Sequence, residues 1–174
     1  MNFLKITPEK ENEVGFKEIA RILFDQYAIQ KNDQLYRLIE IEFYWNSPKH
    51  VDDTTYKRKH IDPKSGEWFF HYSGVDIALR NEMTGGFGGI LIRGLYNLNE
   101  DIDQKERIIK GPMVCAMKLF SGFDAFYESI KTKIIKHQNP SKTIDVRRRK
   151  NIGKNGEINN AKSFNYAFSI DPKK

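Results

Sequence analysis

The stretch Leu35-Tyr36-Arg37-Leu38-Ile39-Glu40-Ile41-Glu42-Phe43-Tyr44-Trp45 has a period of two. Leu35, Ile39, Ile41, Phe43 and Trp45 fall on one side of an extended chain, and Tyr36, Leu38, Glu40, Glu42 and Tyr44 on the other. Such alternation predicts a strand with one strongly apolar face. The second face carries two carboxylates and a phenol among apolar neighbours, so it is not a plainly solvated face. Upstream the period changes. Thr7-Pro8-Glu9 reads as a helix start, and Phe16, Ile19, Ala20, Leu23 and Tyr27 follow at helical spacing. An amphipathic helix is expected over roughly residues 9–28. One element of each period, side by side, gives a mixed α and β chain.

Downstream, residues 46–66 are polar and bounded by Asn46-Ser47-Pro48 and Asp62-Pro63-Lys64-Ser65-Gly66. A loop of this length in a small domain is usually functional or mobile. Trp68-Phe69-Phe70-His71-Tyr72 is apolar on both sides and predicts a buried strand, with Val75 to Leu79 continuing it past Ser73-Gly74. Gly85-Gly86-Phe87-Gly88-Gly89 feeds Ile90-Leu91-Ile92-Arg93-Gly94-Leu95. This glycine run lacks the lysine of a phosphate-binding loop and precedes a strand, so it predicts a hairpin turn. Gly111-Pro112 opens a short helix. Phe123, Phe126, Ile130 and Ile134 predict a second helix to about Lys136. A basic strand or turn is expected around 146–153, and a closing aromatic strand over Phe164–Phe168.

Composition bounds the rest. The chain has 174 residues, of which 39% are hydrophobic and 13% aromatic. That suits one domain over 1–174 with a real core. No apolar run is long enough to span a bilayer, and no signal peptide is visible, so a cytoplasmic protein with no membrane partner is expected. A single cysteine, Cys115, rules out an intrachain disulfide and a cysteine-built zinc site. It reads as a small core residue. Net charge is +6. Residues 131–154 alone hold nine lysines and arginines against one acid, Asp145, so the basic excess is concentrated in one segment. Such a run is either a solvated surface or an edge that faces a polyanion.

Three groups carry possible chemistry. Glu42 sits on the mixed strand face beside Glu40 and Tyr44. Arg93 interrupts a strand that is otherwise core, and a charge there is seldom buried without a partner. His50, His60 and His71 lie in or after the polar loop. Glu42 and Arg93 form either an ordinary ion pair between strands or a tuned carboxylate that activates water. The residues alone leave both open. The histidines lack helical metal-ligand spacing, and no metal is expected.

The order of motifs resembles the alkylpurine (3-methyladenine) DNA glycosylases, as a divergent branch of that family. Glu18-Ile19-Ala20-Arg21-Ile22-Leu23-Phe24 is similar to its N-terminal helix, and Leu38-Ile39-Glu40-Ile41-Glu42-Phe43-Tyr44 to its glutamate-bearing strand. Gly66-Glu67-Trp68-Phe69-Phe70-His71-Tyr72 and Leu91-Ile92-Arg93-Gly94-Leu95 match the next two strands. Gly111-Pro112-Met113-Val114-Cys115 is similar to a helix start, and Arg149-Lys150-Asn151-Ile152-Gly153 and Phe164–Phe168 to the final turn and strand. These pieces cover nearly the whole chain in the family's order.

The resemblance implies a single α/β (α+β) domain with a curved, mostly antiparallel sheet, or partial barrel, and peripheral helices. It implies Glu42 as the water-activating base and Arg93 as the group ordering that water. The base of a damaged purine, flipped out of double-stranded DNA, would enter a pocket formed by Tyr44, Trp68, Phe70, Tyr72 and His71. Arg147, Arg148, Arg149, Lys150 and Lys154 would hold phosphates. No cofactor and no obligate protein partner is implied. The chain departs from the pattern at three places. The family's intercalating tyrosine corresponds to Ser73, its gating asparagine falls near Arg80, and its histidine matches neither His50 nor His60. A non-catalytic nucleotide or small-ligand binding module on the same fold, or a hydrolase of free modified nucleosides, are the other expectations.

Overall fold

The computed structural model describes residues 2–55, 64–99, 103, 105–122, 126, 131–157 and 159–173. The strand that decides the fold class is β2, Gln34–Asn46, and the glycine-led strand is β5, Gly86–Asn97. The two pair antiparallel along almost their whole length, from Tyr36↔Asn97 to Asn46↔Phe87. This pair is the spine of the molecule. Along one edge of β2 lie β1 (Tyr27–Lys31) and then β9 (Ala167–Ser169). Along the far edge of β5 lie β4 (Gly74–Asn81) and then β6 (Ile108–Lys110). β3 (Trp68–His71) extends the sheet beyond β4, β7 (Thr132–Lys136) extends it beyond β1, and β8 (Asp145–Arg147) pairs with β9.

Every one of these pairings is antiparallel, and the sheet curls into a half-barrel. β3 and β7 are opposite ends of the main path, yet the Trp68 indole Nε1 donates to the Thr132 carbonyl at 3.3 Å. Strand twist brings the two ends around to meet, and a register shift at Leu38–Ile41 bends β2 where the curl is centred.

Register sorts the side chains. Across β2, β5, β4 and β3, Phe43, Ile90, Ile77 and Trp68 form one row, and Glu42, Leu91, Asp76 and Phe69 form the next, on the opposite face. The first face is the core. Helix α1, Glu13–Gln26, covers it with Phe16, Ile19, Ala20, Leu23 and Phe24, and the Phe16 ring stacks on Phe43 at 4.9 Å between centroids. The Asn12 side chain caps α1 by accepting from the Gly15 amide at 3.0 Å. The helix thus starts later than Thr7-Pro8 implied, and Pro8–Lys10 forms a separate 3-10 turn. Helix α2, Pro112–Phe120, buries Cys115, Ala116 and Leu119.

Three expectations are corrected. Residues 132–136 are strand β7, not the end of a helix, because they pair antiparallel with β1 along their whole length, from Thr132↔Lys31 to Lys136↔Tyr27; residues 123–125 and 127–130 lie outside the described residues. Val75–Leu79 does not continue the preceding strand. Tyr72 and Ser73 turn the chain, and β4 folds back antiparallel on β3, with His71 opposite Gly74. β3 is also an edge strand, and Phe70 is exposed. The glycine run is indeed a hairpin entry, and its composition has a packing cause. A Cβ on Gly88 would meet the Tyr44 carbonyl oxygen at 1.9 Å, and one on Gly86 the Trp45 ring at 2.2 Å. No helix among the described residues is long and apolar enough to cross a membrane.

Candidate functional site

The second sheet face, opposite α1, carries the charges. Glu42 has no exposed surface. Its Oε2 accepts from the Tyr44 hydroxyl at 3.0 Å and from Arg93 Nη1 at 3.3 Å. Its Oε1 accepts from the Lys150 backbone amide at 3.1 Å. Three donors therefore hold one carboxylate, which offsets the cost of burying it. Arg93 also reaches Glu40 through Nε at 3.1 Å, and Arg147 meets Glu40 from the other side at 2.6 Å. Burial would raise the Glu40 pKa, but the two guanidiniums outweigh it and hold the carboxyl below its ordinary value. Glu40, Arg93 and Glu42 thus form a charge row along the β2–β5 seam, which Arg147 joins from β8. Arg93 disturbs no core, because alternation sends it to this face with Leu91.

A cleft of about 450 Å³ opens above this row. Tyr44, His71, Tyr72, Ser73, Arg93 and Lys150 line it, and Lys154 stands at its rim. Glu42 lies directly beneath, roofed by Tyr44, Arg93 and Lys150. Tyr72 is 74% exposed at the tip of the β3–β4 hairpin. Below the hairpin, His71 Nε2 meets Asp76 Oδ1 at 3.1 Å, and Ser73 Oγ lies 2.8 Å from His71 Nδ1. The Asp76 carboxylate lies over Gly89, where a Cβ would approach Oδ2 to 2.5 Å. The absence of a side chain at Gly89 makes room for that acid.

The basic run divides by alternation. Arg147 turns in to Glu40, and Arg148 turns out to solvent. Arg149 turns in and is buried. It pairs with Asp52 at 2.7 Å, donates to the carbonyls of Phe43 and Ala161 at 3.2 and 2.9 Å, and lies 4.6 Å from the Tyr44 ring centre. Lys150 and Lys154 are exposed. Arg149 is therefore an internal strut, Arg147 is half-buried and committed to Glu40, and of the expected phosphate-binding set Arg148, Lys150 and Lys154 are exposed.

The expected aromatic pocket divides as well. Tyr44, His71 and Tyr72 line the cleft. Trp68 and Phe70 do not: register places Trp68 with Ile77 on the core face, in a separate apolar pocket of about 180 Å³, and Phe70 packs edge-on against Phe120. The strand's period of two separates residues that adjacency in sequence had grouped. His50 is held on the core side, with Nδ1 3.0 Å from the Trp45 carbonyl and Nε2 2.6 Å from the Tyr166 hydroxyl. It ties the chain leaving β2 to the C-terminal segment. His60 lies outside the described residues.

The sequence reading missed Asp52 as the counter-ion of Arg149 and missed Asp76 as the partner of His71. A signal existed only for the second, since an acid at Asp76 breaks the apolar run Val75–Leu79. Among the described residues no three of His, Cys, Asp and Glu gather to hold a metal ion. Burial pushes the Cys115 thiol up to about 12, with the nearby Glu40 charge adding and Arg93 opposing, which disfavours its thiolate form.

No family model matches the chain. It is similar to the uncharacterized protein L759 of Acanthamoeba polyphaga mimivirus, with 28% identity over 138 residues covering 65% of this chain. The chain matches 60% of the length of that viral protein.

Proposed function

We propose that this chain excises damaged purines from DNA by hydrolysing the N-glycosidic bond, acting in a reducing, cytoplasmic compartment. The observation that carries the reading is the convergence of Glu42, Tyr44 and Arg93 at the floor of a cleft with a cationic rim. The motif order that resembles the alkylpurine glycosylases supports the same residues.

In this reading the lesion leaves the stack and enters the cleft against Tyr44 and His71. Tyr72, at the exposed hairpin tip, takes the wedge position that Ser73 cannot fill. Arg148, Lys150 and Lys154 contact phosphates without reading sequence. Glu42 takes a proton from the water that attacks the sugar C1′, and Arg93 aligns it. Glu42→Gln is expected to lower base release from methylated duplex DNA by about 10²–10⁴-fold, with duplex affinity nearly intact. Wild-type rates in that variant would remove Glu42 from the role of base.

One observation favours a second reading, a nucleotide-binding module on the same fold. The Glu42 carboxylate has no exposed surface and three donors already bonded to it, so water reaches it only if Tyr44 or Arg93 moves. Duplex or nucleotide binding by a wild-type protein that releases no base from alkylated DNA would favour this module.

A further inference from the structure

The β3–β4 hairpin holds a hydroxyl, an imidazole and a carboxylate in series, and the reading above gives this series no chemical step. Asp76 is fully buried, and His71 is largely so. The Ser73 backbone amide can only donate and points at His71 Nδ1 from 3.4 Å, so Nδ1 is the accepting nitrogen and Nε2 carries the ring proton toward Asp76. The Ser73 hydroxyl, 2.8 Å away, then donates to Nδ1. Ser73 is half-buried and lines the cleft. This is a nucleophile, a base and a group that orients the base, in hydrogen-bond reach of one another.

One further feature says what the serine would attack. Lys150 and Lys154 line the same cleft with exposed ammonium groups, which favour an anionic substrate, whereas Arg93 is already paired with Glu40 and Glu42.

We propose that Ser73 is a nucleophile toward phosphoric diesters, with His71 as its base and Asp76 as the positioning residue that fixes the imidazole. A bond forms from Ser73 Oγ to phosphorus, and the bond from phosphorus to the leaving alkoxide or phenoxide breaks. The serine proton passes to His71 Nδ1 and then to the leaving oxygen. Water, deprotonated by the same nitrogen, next cleaves the phosphoserine diester and restores Ser73. Phosphorus keeps its oxidation state, and no cofactor enters.

The test uses the full chain and two probes. Diisopropyl fluorophosphate should form one adduct, mapped to Ser73 by mass spectrometry, with fluoride released. The p-nitrophenyl ester of thymidine 5′-phosphate should release nitrophenolate. Ser73→Ala removes only a hydroxyl in the turn between β3 and β4 and should fold, yet lose both signals. His71→Gln should slow both by about 10²-fold or more. Asp76→Asn should lower the maximal labelling rate without changing the probe concentration at half-saturation, a split that a purely structural role would not give. No adduct on wild type, an adduct elsewhere, or labelling unchanged in His71→Gln would each overturn the proposal. None of these readouts depends on base release.

Discussion

At the scale of single residues, the charges in this protein divide between struts and tools, and exposure decides which is which. Arg149 and Asp52 are both fully buried and bonded to each other. Removing one partner of such a pair leaves the other charged and unpaired in the interior. Arg149→Ala is expected to cost about 3–5 kcal/mol in urea unfolding, whereas Arg148→Ala, on the outward side of the same run, should stay within about 0.5 kcal/mol. Glu40 gives a pH signature with a definite sign. Its folded-state pKa lies below the ordinary carboxylate value despite burial, because Arg147 and Arg93 flank it. Its contribution to stability is therefore fully present above that ordinary value and is lost as pH falls through the lower, folded one. Melting temperature measured from about pH 6 down to pH 3 should fall less steeply in Glu40→Gln than in wild type. A parallel acid limb in the two proteins would assign the acid sensitivity to other groups.

At the scale of elements, the hairpin from β4 to β5 depends on what the glycines lack. Gly88 sits against backbone, and a Cβ there would collide with the Tyr44 carbonyl oxygen, so Gly88→Ala must push β2 and β5 apart. Destabilisation of about 3 kcal/mol or more is expected, at the upper end of what overpacking costs. Gly89 sits against a side chain, Asp76, which can shift. Gly89→Ala should cost less, about 1–2 kcal/mol, and should move the Asp76 carboxylate from His71. Calorimetry on the two variants checks the order, and the reverse order would refute the packing argument. The glycine run was legible in the sequence as a hairpin entry. The reason for it was not, because Trp45, Tyr44 and Asp76 come to it from two other strands.

At the scale of the whole molecule, the basic excess is real, but much of it is already neutralised inside. Of the five cations expected to meet phosphate, three face solvent. If all three contact phosphates, the logarithm of duplex affinity should fall against the logarithm of salt concentration with a slope of about −2.7, where five contacts would give about −4.5. A fluorescence titration over a range of salt reads the slope directly, and a slope near zero would leave the cleft to ligands other than a duplex.

The sequence by itself determined what is local and periodic. The alternation of residues 35–45 marked β2 and its two faces, and helical spacing from Phe16 to Leu23 marked α1. The same alternation put Glu42 and Tyr44 on one side, two residues apart. What the tertiary structure decided was which distant groups meet that side. Arg93 arrives from β5, the Lys150 amide from the chain after β8, and Asp52 from the loop after β2 to take Arg149. Trp68 and Phe70 leave the expected pocket, since strand register and the edge position of β3 decide where they point. Residues 132–136 are a strand because β1 offers an open edge to pair with, an edge that the β-branched Thr132, Ile134 and Ile135 suit but do not by themselves reveal. The physical reason is common to all of these. Periodicity is written in neighbours along the chain, whereas ion pairs, pockets and strand edges are made between segments far apart in it.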